Sequence, residues 1–285
     1  MHETEAEKRA RRHREDLERL RGFRPLDDTF MRGMLKGNIP LAELILQIFL
    51  SKPDLVVLKC ETQADMKRVT GARSISLDAY ATDSTGKKYD IEVQRADSGA
   101  DPHRARYHSS VMDVENLDEN QEFKELPDSY VIFITEKDYY KAGRPLYIIQ
   151  NMNVTLNQPF ADGAYIVYVN GAYRDDSDIG KLMHDFSCTK ADDMYFPLMA
   201  EKTRYLKENP KGVNEMCEVM EKLRDESLAE GRAEGRAEGR AEGRVEGRET
   251  QAKDTALRML QKGFSIEEIA DIINVNVETV KQWLA

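Results

Sequence analysis

Residues 74–94 read SISLDAYATDSTGKKYDIEVQ, and their alternation decides the fold. Ile75, Leu77 and Ala79 fall on one face of a first strand, with Ser76, Asp78 and Tyr80 on the other. After the turn segment DSTGK, Tyr89, Ile91 and Val93 alternate with Asp90, Glu92 and Gln94. Gly86 can take the positive φ that a tight hairpin turn requires. A hairpin centred on Thr85 sets residues 78 and 92 equally far from the turn. Asp78 and Glu92 then stand opposite one another on one face, with Cβ atoms about 5 Å apart. Like charges so placed destabilise a sheet, whereas a divalent cation between them reverses the sign. Gln94 lies two residues on along that face, in reach of a water on such a cation. The competing reading is an acidic face that meets solvent, the usual state of Asp and Glu.

Around this hairpin the pattern is mixed. LAELILQIFL (residues 41–50) follows Pro40, which suits a helix start, and is apolar nearly all round, so it reads as a buried helix. LVVLKCETQ (residues 55–63) reads as a strand. In DPHRARYHSSVMDVENL (residues 101–117), Tyr107, Val111 and Val114 recur at helical spacing. DSYVIFITE, RPLYIIQNM and GAYIVYVNG are rich in β-branched and aromatic residues and read as further strands. The order is helix, about three strands, helix and more strands: an α/β or α+β core over roughly residues 25–200.

The flanks are charged. Residues 1–24 are Arg-rich and read as a solvated helix or a basic arm. Past a helical stretch, AEGRAEGRAEGRAEGRVEGR (residues 229–248) repeats Glu, Gly and Arg every fourth position. Such spacing stacks like charges on a helix, and each Gly costs about 1 kcal/mol relative to Ala. The repeat is either a linker or a helix that joins subunits. The tail carries a C-cap glycine, Gly263, a capping box at Ser265 and Glu268, and an N-cap at Asn276, giving two short helices. That outline fits a helical association module or a helix-turn-helix DNA reader, with Trp283 in its core.

The formal net charge of −10 argues against nucleic-acid binding on average, although a local basic patch can override it. Cys60, Cys188 and Cys217 are widely spaced and form no zinc motif, which fits reduced thiols in a cytoplasm. No apolar run approaches membrane-spanning length, so the expectation is a soluble, cytoplasmic chain without a membrane partner.

The spacing D-x(13)-E-x-Q, between a buried helix and an Arg- and Tyr-bearing helix, resembles the PD-(D/E)XK nuclease superfamily. It is closest to the recombination-promoting nuclease and transposase branch, in which the last Lys of the general motif is commonly Gln. FRPLDDTFMRGMLKGNIPLAELILQIFL resembles that branch's opening and first helix, RARYHSSVMD its next helix, and LPDSYVIFITE the strand after it. The resemblance covers about residues 23–200. It implies a restriction-endonuclease-like mixed sheet flanked by helices, with a helical C-terminal extension. The segments are then a lead-in (1–24), a nuclease-like domain (25–205), a helix with the repeat (206–249) and a small helical module (250–285).

The implied activity is Mg²⁺-dependent DNA cleavage linked to recombination or transposition, with Mn²⁺ as a possible substitute. The alternative is an inactive nuclease fold serving DNA binding or assembly. The resemblance assigns Asp78 and Glu92 as metal ligands, the Val93 carbonyl as a third, and Gln94 to the Lys position. Glu43 matches an acidic position on the first helix, where the competing reading is the polar edge of a buried helix. Arg73 contacts phosphate or pairs with a carboxylate. Arg95, Arg104 and Arg106 are the cations nearest the hairpin for DNA, but residues 104 and 106 cannot share one helix face. His103 and His108, five apart, have a poor spacing for a metal and read as surface or packing histidines. The expected partners are DNA and a second copy of the chain, the latter through the C-terminal region.

Overall fold

The computed structural model describes residues 4–65, 75–95 and 97–284. Helices α1 (Glu5–Gly22), α2 (Asp28–Leu35) and α3 (Ile39–Leu50) come first. Strands β1 (Val57–Asp65), β2 (Ser76–Asp83) and β3 (Lys88–Gln94) follow, then α4 (Pro102–Asn116) and β4 (Ser129–Thr135). Next are β5 (Leu146–Gln150), the two-residue strands β6 (Met152–Asn153) and β7 (Gln158–Pro159), and β8 (Ala164–Asn170). Helices α5 (Asp178–Ser187), α6 (Pro197–Glu208), α7 (Pro210–Gln261), α8 (Ile266–Ile272) and α9 (Val277–Leu284) complete the chain. The periodicity anticipated α3, the hairpin, α4 and the three long later strands. It did not separate α2, nor did it mark α5, α6 and the small β6–β7 ribbon. No single described helix is long and apolar enough to cross a membrane.

The main sheet runs β1-β2-β3-β4-β8-β5. The β1–β2 and β2–β3 pairs are antiparallel, β3–β4 and β4–β8 are parallel, and β5 closes the edge antiparallel to β8. This is the mixed sheet flanked by helices that the resemblance implies, within the α/β or α+β class that the sequence pattern predicts. Parallel β3 and β4 need a crossover, and α4 supplies it. Asp101 caps α4 by accepting the His103 N–H at 2.8 Å, and Pro102 opens the first turn. Beneath α4, Ala105 and Met112 pack on Leu77, Val131, Phe133 and Tyr168. On the N-terminal side, α2 and α3 contact β1, and α2 also touches β2 and β3. Every residue of β4 is buried, as expected of a central parallel strand covered on both faces.

The chain divides into two compact units, residues 1–222 and 223–285. In the second unit, Ala256, Ile269, Ala270 and Val280 form a small core, with Trp283 packed against it. The Ser265–Glu268 capping box, the positive φ of Gly263 and the Asn276 cap on the Thr279 N–H (2.7 Å) are all present. The repeat is helical, and its glycines face open space.

Candidate active site

The hairpin is centred as its alternation requires. Ala79 pairs with Ile91, Tyr80 with Asp90, Ala81 with Tyr89 and Thr82 with Lys88, a register symmetric about Thr85. Gly86 takes φ +88°. Asp83 ties the turn: Oδ1 accepts the N–H groups of Thr85 (2.8 Å) and Lys87 (3.0 Å), and Oδ2 accepts the Tyr89 hydroxyl (2.6 Å).

Regular pairing stops at Ala79 and Ile91, and side chains take over. The Asp78 N–H donates to Glu92 Oε1 at 3.0 Å, and the Val93 N–H donates to Asp78 Oδ2 at 3.2 Å. Strict alternation would put Leu77 and Tyr80 on opposite faces. Instead both pack on the cluster beneath α4, so the alternation breaks at Asp78, where a carboxylate replaces the ladder bond. In an extended strand the N–H and C=O of one residue point the same way. The Val93 carbonyl is therefore directed toward Asp78's side of the strand.

The acidic face does not meet water. Asp78 is 3% exposed, Glu92 1% and Asp90 0%. The reason is tertiary: β3 lies between β2 and β4, and α4 crosses over its polar face. Two guanidinium groups sit among these carboxylates. Arg32 of α2 reaches Asp78 Oδ1 at 2.7 Å and Asp28 Oδ1 at 2.7 Å. Arg104 of α4 reaches Glu92 Oε2 at 3.4 Å and His108 Nε2 at 3.3 Å. Gln94 is half-buried, and its Nε2 donates to Glu92 Oε2 at 3.4 Å. Gly99 leaves room for the Gln94 amide, since a Cβ there would lie 2.0 Å from Gln94 Oε1.

His108 and Asp90 complete the cluster. His108 Nδ1 lies 2.8 Å from Asp90 Oδ2, and both side chains are buried. Arg104 Nε–H can only donate, so His108 Nε2 accepts and Nδ1 carries the proton given to Asp90. Among the described residues, no hydrogen-bond donor reaches the buried Asp90 Oδ1. One ligand atom each from Asp90, Glu92 and His108 lie within 4.8 Å of one another.

The electrostatics follow from burial. Desolvation pushes the Asp78 carboxyl well above the ordinary range; the charges of Glu92 and Asp28 add to it, and Arg32 and the Val93 N–H only partly offset it. Burial lifts Glu92 to about 8, with the Asp90 charge adding and His108, the Asp78 N–H and Arg104 opposing. Asp90 is raised by burial and then by Asp78. His108 is held below its usual value by burial, so its ring is neutral. These carboxylates all resist ionising where they stand, and one oxygen has no donor. A dication between Asp78 and Glu92 would offset the cost of ionising them, and with the Val93 carbonyl they offer the oxygen donors that suit Mg²⁺.

The other expected site residues fall elsewhere. Glu43 is half-buried on α3, and its Oε2 accepts the Val57 N–H at 2.8 Å, which ties α3 to the start of β1. Arg95 pairs with Asp27 (2.9 Å) and Glu136 (3.1 Å). Arg104 faces the site while Arg106 is exposed, as their spacing requires. Arg73 lies outside the described residues. His103 is exposed beside Asp101, at 3.1 Å. Sequence reasoning missed Arg32, Asp28, Asp90 and the role of His108. Asp90 was visible two residues before Glu92 on the same face; nothing in the helical spacing flagged His108, because its partner comes from a strand.

Residues 36–172 match the family model described as PD-(D/E)XK nuclease family transposase. That segment holds the motif hairpin, α4 and the strands through β8. The superfamily resemblance drawn from the hairpin thus stands for it, while Arg32 lies upstream. No curated protein and no solved structure matches the chain.

Proposed function

We propose that this chain is a Mg²⁺-dependent DNA endonuclease, acting in recombination or transposition, whose catalytic residues are Asp78, Glu92 and Gln94. The observation that carries the reading is the join between the hairpin strands, where Asp78 and Glu92 are buried, Glu92 accepting the Asp78 N–H and Asp78 accepting the Val93 N–H. A solvated acidic hairpin has no reason to bury both. The match of residues 36–172 to a nuclease family model supports the same chemistry.

Asp78, Glu92 and the Val93 carbonyl would hold the ion, with Mn²⁺ as a substitute. When bound it supplies Lewis acidity at the scissile phosphate and at the attacking water. Gln94 orients that water through its amide, which donates and accepts but cannot take the proton. The proton leaves to solvent or to a substrate phosphate oxygen. The lack of a side chain at Gly99 gives the Gln94 amide the space it occupies. Arg32 screens Asp78 in the resting site and keeps Asp28 as a second partner. Arg104, 43% exposed at the rim, is the cation placed to meet a substrate phosphate. Arg95 is held by two carboxylates and contributes less. The C-terminal region serves self-association.

The second reading, an inactive fold used for DNA binding or assembly, is favoured by Gln94 in the Lys position and by Arg32 already seated on Asp78. Supercoiled plasmid incubated with Mg²⁺ separates the two. Nicking by the native chain that disappears in Asp78→Asn supports the enzyme. Intact plasmid with Mg²⁺ and with Mn²⁺ supports the second reading.

A further inference from the structure

Three groups beneath α4 are not explained by an Asp78–Glu92 ion. Asp90 is fully buried with a bare Oδ1, His108 is buried and neutral, and Arg104 bridges His108 Nε2 to Glu92 Oε2. One oxygen each of Asp90 and Glu92 lie within 4.8 Å of one another. Two ionised carboxylates so close offer only acceptors, and a nearby cation offsets their repulsion. The hydrogen bond from His108 Nδ1 to Asp90 leaves the Nε2 lone pair available, an arrangement in which a carboxylate orients a metal-binding imidazole. Arg104 now covers that lone pair and one oxygen of Glu92. Its side chain is 43% exposed while Glu92 and His108 are each 1% exposed, so Arg104 is the movable member.

We propose that Glu92 and His108 Nε2, the ring oriented by Asp90 through Nδ1, bind a transition-metal dication of the Mn²⁺, Co²⁺ or Zn²⁺ type, at a position distinct from the Asp78–Glu92 pair and sharing Glu92 with it. The imidazole nitrogen sets the preference, since mixed nitrogen and oxygen donors favour these ions over Mg²⁺. Arg104 occupies the site in the ion's absence and leaves when it binds. The site goes beyond the cleavage reading and does not require that the chain cut DNA.

The test uses the full chain stripped of metal, with Mn²⁺ or Co²⁺ as the probe and no DNA. Pulsed electron paramagnetic resonance of bound Mn²⁺ should show coupling to an imidazole nitrogen. That coupling should persist in Asp78→Asn and in His184→Ala, which disables the separate His184, Asp185 and Cys188 cluster. It should vanish in His108→Ala, and Co²⁺ affinity should fall at least about tenfold there and in Asp90→Asn. Arg104→Ala, a change at a half-exposed position, should tighten Co²⁺ binding severalfold. The proposal is overturned if the native chain binds Mn²⁺ without nitrogen coupling or binds none. It is equally overturned if the coupling follows His184, or if Arg104→Ala weakens binding. The native-chain spectrum decides even if His108→Ala fails to fold. Loss of cleavage with this coupling intact would count against the endonuclease reading alone.

Discussion

The two ends of one hairpin treat their carboxylates in opposite ways. At the turn, Asp83 accepts from Thr85, Lys87 and Tyr89. Burial pushes its carboxyl up, yet these donors outweigh burial and hold it below the ordinary range. At the open end, Asp78, Asp90 and Glu92 are buried as deeply or more so, and all three are raised. At the turn the donors prevail; at the open end deeper burial and neighbouring like charges outweigh the donors present. A carboxylate surrounded by backbone N–H groups and hydroxyls staples a turn. A group of crowded, buried carboxylates marks a candidate functional site.

The strongest way to break this comparison is Asp78→Asn. Cleavage should fall about a thousandfold, because several kcal/mol of charge stabilisation at the phosphate go with the ion. Circular dichroism should still show a folded chain, and cleavage within tenfold of the native rate would end the distinction. Asp83→Ala should do the reverse. Leaving the turn N–H groups and the Tyr89 hydroxyl without their acceptor costs about 2–3 kcal/mol in a denaturant melt, with metal affinity unchanged. Gly99→Ala should lower cleavage roughly tenfold by displacing Gln94, as outer support of a site usually does, with little change in the melt.

The smallest effect is the most diagnostic, because its sign differs between the ends. Asp83 has a lowered folded value, so its stabilisation is present above the ordinary carboxylate pKa and is lost as pH falls. Glu92 is raised from 4.5 to about 8, so its contribution is present below about pH 4.5 and is lost as pH rises through about 8. Asp78 and Asp90 act in the same direction. The melting temperature of the metal-free chain should therefore drop by a few degrees between pH 5 and pH 8. A saturating dication should remove the drop, because it binds the ionised form. A metal-free melt that rises across this range would contradict the account of the open end.

Much of this was legible residue by residue. The register about Thr85 follows from two alternating runs and one glycine, since a slip of one residue would turn every side chain over. The caps of the tail were readable because Ser265, Glu268, Asn276 and Gly263 act on their own backbone neighbours. The break at Asp78 was not readable, because a period-two pattern contains no term for a side chain that takes a ladder bond. Glu43 and Arg95 read as site residues from the sequence, yet they bond to Val57, Asp27 and Glu136, contacts that depend on where α3 and β4 end.

By itself the sequence determined that residues 74–94 form a hairpin and that Asp78 and Glu92 flank its open end, because those facts are local and periodic. Only the tertiary structure decided that the acidic face is sealed from water and joined there by Arg32, Asp90, Arg104 and His108. The physical reason is that burial and donor supply depend on which helix covers a strand, and the seats of α2 and α4 are set by packing across the whole sheet.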